Sequence, residues 1–218
     1  MCAGCPAALA VTERQLAAAP QIEDVTDLSG LAILGHRRAF AEVGRFDERF
    51  GRGNWEDDDF CLRARLQGRR LVIARRAFVH HVGHATFEAL GCDLGDELAR
   101  GARIFQDKWG DDPAGRAWLA SRTGRPAAHA DLDDARLRWP GWLDEPLLRA
   151  QRAAADGDAE AAIDALVAFL HGCPRHPGAR RSLATLRAGI GDVRGARRTL
   201  TTLERFHGAA VAGDGARR

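Results

Sequence analysis

The chain has 218 residues, with 45% apolar and 28% charged side chains, 24 glycines and 8 prolines, the balance of a folded protein and not of a disordered one. No apolar run approaches the roughly 20 residues that a membrane-crossing helix needs, so no transmembrane segment is expected. With 32 basic and 30 acidic groups the formal net charge is +2, which gives no bulk attraction to nucleic acid or anionic lipid and makes a nucleic acid partner unexpected.

The Met1 to Pro20 segment lacks the basic start of a secretory leader, so a cytoplasmic location is expected. Five scattered cysteines, Cys2, Cys5, Cys61, Cys92 and Cys173, make a poor disulfide framework and fit a reducing compartment. Cys2 and Cys5 form a C-x-x-C without the second pair that a zinc site requires. Basic charge is almost all arginine, Lys108 being the sole lysine.

Ser29 to Gly35 is an apolar run between glycines and reads as a buried strand. A helix follows over His36 to Val43, stopped by Gly44, and then a loop over Arg45 to Gly53. Asn54 is placed to cap a helix from Trp55 to about Gln67, with Phe60, Ala64 and Gln67 on one side and Leu62 and Leu66 on another. Leu71 to Ala74 and Phe78 to Val82 read as extended, and Thr86 to Trp109 as mostly helical with breaks near Gly91 and Gly95. Alternating strand and helix over residues 1–112 points to an α/β layer.

Residues 113–143 lose periodicity and read as a linker region. From 144 to 207 the pattern is helical, and an offset of 34 pairs Ala150 with Ala184, Ala154 with Ala188, Gly157 with Gly191, Asp158 with Asp192, Ala162 with Ala196 and Leu166 with Leu200. That period, with small residues at helix crossings and Pro177 opening a helix, resembles tetratricopeptide repeats. Such helix pairs bury their apolar faces on a neighbour, here the first domain or a protein partner. Residues 208–218 read as a disordered tail. The arginines Arg180, Arg181, Arg187, Arg194, Arg197, Arg198 and Arg205 lack interleaved aromatics other than Phe206 and read as a solvated helix face.

Two clusters are candidates for chemistry. Glu56, Asp57, Asp58 and Asp59 are consecutive carboxylates at a helix start. Capping, the helix dipole and an Asp59–Arg63 pair account for one or two acids better than for four. Crowded carboxylates repel, which raises one pKa toward the range of a general base. His80, His81 and His84 follow an apparent strand; alternation sends His80 and His81 to opposite faces, and the cluster suits metal or phosphate binding.

Taken in order, GRFDERF at Gly44 to Phe50, WEDDDFCLRARLQG from Trp55 and HHVGHATF from His80 resemble the C-terminal half of the catalytic domain of family 2 glycosyltransferases. The resemblance covers roughly Leu28 to Gly110. It implies a partial nucleotide-diphospho-sugar transferase fold and inverting, hexosyltransferase-type transfer from a nucleotide-diphosphate sugar to a glycan, lipid or protein hydroxyl. It implies Glu56 and Asp57 as the catalytic acid pair, with Asp57 the base, and Trp55, Asp47 and Glu48 on the acceptor side. It also implies a divalent metal, Mg or Mn, held on the donor diphosphate with help from His81 or His84. In that family the nucleotide-binding strands and a D-x-D motif lie well upstream of the acid pair, whereas 55 residues precede Glu56 here. Asp57-Asp58-Asp59 and Asp131-Leu132-Asp133 spell D-x-D in other places. A truncated reading frame, a split enzyme and a remnant are the accounts of that difference. A non-catalytic protein-interaction module built on the helical repeats is the alternative function, and a metal hydrolase centre a third.

Overall fold

The computed structural model describes residues 22–77, 79 and 91–207. Among them are nine α-helices and one two-stranded sheet, so the protein is mostly helical. Strand β1 (Glu23–Val25) pairs antiparallel with β2 (Leu71–Ile73), Asp24 lying opposite Val72. Between them come α1 (Arg37–Val43), a 3-10 turn (Glu48–Phe50) and α2 (Glu56–Leu66). After β2 follow α3 (Leu94–Trp109), α4 (Pro113–Arg122), α5 (His129–Arg138), α6 (Glu145–Ala155), α7 (Ala159–Gly172), α8 (Pro177–Gly189) and α9 (Val193–His207).

The expected strand at Ser29 to Gly35 is absent. That run is irregular and Leu34 is 99% exposed. Among the described residues no third strand lies beside it to complete a hydrogen-bond ladder, and an apolar run without a ladder does not hold as a strand. The α1 and α2 expectations are met to within a residue. His36 caps α1 through Nδ1, which accepts the Arg38 N–H at 3.2 Å. The expected extended segment Phe78 to Val82 lies outside the described residues apart from Val79, as do the Cys2–Cys5 pair and the tail 208–218.

Helix α2 is buried on two sides, as its spacing predicts. Leu62 and Leu66 enter one core with Phe50, Phe105, Trp118 and Leu132, while Phe60, Cys61 and Ala64 enter another with Val43 and Leu71. The first core draws on α4 and α5, which occupy the expected linker. Asp112 caps α4 by accepting the Ala114 N–H at 2.9 Å, and Pro113 stands at its first turn, where its missing N–H costs nothing. The buried positions of α4 are largely small, Ala114, Gly115 and Ala117 beside Trp118, so its apolar face carries almost no hydropathy signal.

The repeat at offset 34 is present in the backbone. Gly157 and Gly191 both take left-handed conformations, φ 82° and 84°, and the aspartate after each caps the next helix. Asp158 accepts the Ala161 N–H at 3.0 Å and Asp192 the Gly195 N–H at 2.8 Å. The helical pairs lean on the first part of the chain, the Arg175 N–H donating to buried Asp24 at 2.7 Å, and just before α6 the Leu143 N–H donates to the Arg65 carbonyl at 3.2 Å.

Candidate functional site

The acidic run begins at a strained turn. Asn54 and Trp55 are the two non-glycine residues with positive φ among those described, 71° and 75°, and they immediately precede Glu56. Left-handed backbone costs each L-residue roughly 1 kcal/mol, and consecutive residues of this kind persist only where surrounding packing holds them. Here the hold comes from Gly101 on α3, where an added Cβ would stand 2.7 Å from Trp55 Cδ1 and 2.9 Å from the Asn54 carbonyl oxygen. The Asn54 side chain does not cap α2 as expected. Trp55 occupies the cap position without a side-chain bond, and Asn54 Nδ2 is buried without a partner.

The four carboxylates divide in two. Asp59 is fully buried and saturated: Arg63 Nε donates to it at 2.9 Å, Trp109 Nε1 at 2.8 Å, and Lys108 Nζ lies at 2.7 Å. Asp58 bonds Arg122 of α4 at 3.0 Å, and the same guanidinium holds Asp27 at 2.6 Å. Burial, with Asp57, Asp27 and Glu56 nearby, pushes the Asp58 carboxyl up to about 6 against the pull of Arg122.

Glu56 and Asp57 form no ion pair with a described residue. Asp57 Oδ2 accepts the Gly30 N–H at 2.8 Å and Oδ1 the Asp58 N–H at 3.0 Å, leaving lone pairs on both oxygens. Gly30 closes over the pair: a Cβ added there would stand 3.4 Å from both Asp57 Cβ and Glu56 Oε1. Burial raises the Glu56 carboxyl, the Asp57 charge adding to it, and Oε2 is buried without a partner.

The expected acceptor-side residues are variously engaged. Trp55 is half-buried, 5.3 Å from the Phe105 ring and 6.4 Å from Trp118, within the first core. Asp47 is held by Arg49 at 2.7 Å and Lys108 at 2.8 Å, and those bonds keep its carboxyl well below the usual range. Glu48 is exposed in the 3-10 turn. His81 and His84, expected at the metal, lie outside the described residues. Among the described residues no group of three or more His, Cys, Asp or Glu side chains is arranged to hold a metal ion.

Sequence reasoning misses Gly30, Asp27 and Arg122 at this site. Gly30 is legible as a glycine beside an apolar run but not as a donor to Asp57. Arg122 lies in the expected linker, 64 residues beyond Asp58, and no local pattern pairs them.

Comparison with protein-family models, with curated proteins and with solved structures returns no match for this chain. Among the described residues no helix is long and apolar enough to cross a membrane.

Proposed function

We propose that the chain carries the acceptor side of an inverting glycosyltransferase site, with Asp57 as the general base. One observation carries this reading. Of four consecutive carboxylates, the two that the family 2 resemblance assigns to catalysis, Glu56 and Asp57, are the two without ion pairs, and they follow a strained turn. A run of acids serving only to cap a helix needs no strain before it and leaves no carboxylate oxygen buried and unpaired.

In this reading an acceptor hydroxyl approaches a free Asp57 lone pair. Its oxygen bonds to the anomeric carbon of the donor sugar while the bond to the nucleoside diphosphate breaks, and its proton passes to Asp57. The Gly30 N–H fixes the carboxylate's orientation. Glu56, partly desolvated beside it, disfavours a second full negative charge in the pair and leaves the ionised role to Asp57. A divalent metal would neutralise the leaving diphosphate, and His81 or His84 would help hold it. Arg65 near the end of α2 bonds Asp144 and Cys173 and ties the acidic helix to the helical pairs.

The test is nucleoside diphosphate release from a panel of nucleotide sugars by the protein isolated from its own cells. Asp57→Asn keeps one oxygen to accept the Gly30 N–H but gives up the base and the bond from the Asp58 N–H, and is expected to lower transfer by about 10²–10⁴-fold with only a small drop in thermal midpoint. Full transfer by that variant would remove the base assignment, and absence of transfer with every donor would remove the reading.

A further inference from the structure

The last three helices form a second feature, remote in sequence from Asp57 and independent of any transfer chemistry. A groove of about 250 Å³ runs between α7, α8 and α9, with Leu170 and Leu183 in its floor. Its rim carries Arg180, Arg187 and Arg198 with His171, and no aspartate or glutamate lines it. We propose that this groove binds an acidic, extended segment of a protein partner.

The guanidinium groups are under-neutralised. Arg180 is half-buried, stacks on the Phe206 ring and donates to the Pro174 carbonyl at 2.8 Å, with no carboxylate of a described residue in reach. Burial alone pulls its pKa down, the mark of a desolvated cation without a counter-charge. The Arg198 side chain is exposed and bonds no described residue. Arg187 donates to Thr199 Oγ1 at 2.9 Å and meets its nearest carboxylate, Asp192, at 3.9 Å. An anion seated here would restore the compensation that a partly buried cation requires.

Arginine placement suits a ligand with more than one anionic group. Arg180 and Arg187 stand seven positions apart on α8, roughly 10 Å along the helix axis. The two guanidinium groups take different partners, the Pro174 carbonyl and Thr199 Oγ1, so separate anionic groups suit them better than one phosphate. In a polyproline-II chain carboxylates three residues apart share one face and stand roughly 9 Å apart, near the axial spacing of the two arginines. Apart from the His171 imidazole the groove lining holds no aromatic side chain for base stacking, which favours a peptide over a single-stranded nucleic acid.

The experiment is fluorescence anisotropy of the full chain with a labelled peptide, Ac-Glu-Leu-Ser-Glu-Leu-Ser-Glu-amide, at two salt concentrations. Saturable binding that Arg198→Glu weakens by at least about tenfold is expected, while Arg194→Glu, on the same helix outside the groove, leaves it within about twofold. Equal loss in both variants would mean diffuse charge attraction and overturn the proposal. So would absence of binding, or displacement of the peptide by millimolar inorganic phosphate or by oligo(dT) at lower concentration than by unlabelled peptide. Both variants change exposed arginines, and matching circular dichroism melts exclude unfolding as the cause.

Discussion

Arg65, late in α2, donates its Nε–H to Asp144 Oδ1 at 2.8 Å, with neither side chain more than 5% exposed. The same guanidinium reaches Cys173 Sγ at 3.3 and 3.4 Å. One side chain on the acidic helix thus meets residues just before α6 and just after α7, and fastens the candidate site to the helical pairs.

Removing one partner of a buried ion pair leaves the other charge uncompensated. Arg65→Ala is expected to destabilise the chain by about 3–5 kcal/mol in urea melts. The double variant Arg65→Met, Asp144→Leu should recover most of that loss. A loss under about 1 kcal/mol in the single variant would mean that the pair does not fasten the two regions.

Asp58 gives a pH signature. Its folded-state pKa of about 6 lies above the ordinary 3.8, so the folded state holds the proton more tightly. Its contribution is therefore favourable at low pH and is lost as pH rises from about 4 to 6. The side chain is 17% exposed, and the gap between the two values corresponds to at most about 3 kcal/mol. Stability of Asp58→Asn relative to the parent should increase between pH 4.5 and 7, measured as urea midpoints. A flat difference would show that Arg122 already neutralises Asp58.

Leu132 lies in the segment whose sequence reads as a linker, yet it is fully buried. Leu132→Ala should cost about 2–5 kcal/mol, as for other buried leucines. A true linker would tolerate the change within about 0.5 kcal/mol, so guanidinium unfolding separates the two descriptions directly.

Gly101 tests the strained turn. An added methyl would press on the Trp55 ring and the Asn54 carbonyl, so Gly101→Ala should lose about 1–2 kcal/mol despite its better helix propensity. Near-UV circular dichroism should change as Trp55 shifts against Phe105. A gain in stability would mean that α3 does not hold the turn.

The helices with large apolar side chains are legible from sequence. Phe60 and Ala64 against Leu62 and Leu66 define two buried sides of α2, and the structure packs both. The offset of 34 is legible because glycine and aspartate recur where the backbone must turn left-handed and then cap a helix. Helices α4 and α5 are not, because alanine and glycine form much of their buried face and Leu137, the most conspicuous apolar residue of α5, points to solvent at 83% exposure. The Ser29 to Gly35 run misleads because strand formation depends on a neighbouring strand that local sequence does not encode. At the site, the unpaired state of Glu56 and Asp57 is hidden for the same reason: apart from Arg63, which the sequence pairs with Asp59 and the structure keeps, the partners that consume Asp58 and Asp59 come from α3 and α4, distant in sequence.

Lys108, which bridges Asp47 at 2.8 Å and Asp59 at 2.7 Å, is also the only lysine in the chain. A lysine-specific protease therefore has one bond to cut, at the last turn of α3, and must first pull the ammonium away from both carboxylates. The rate at which the intact band splits in two on a gel then becomes a clock for the opening of that clasp. Any ligand that tightens the acidic helix against α3 should slow it, with no knowledge of the ligand's chemistry required.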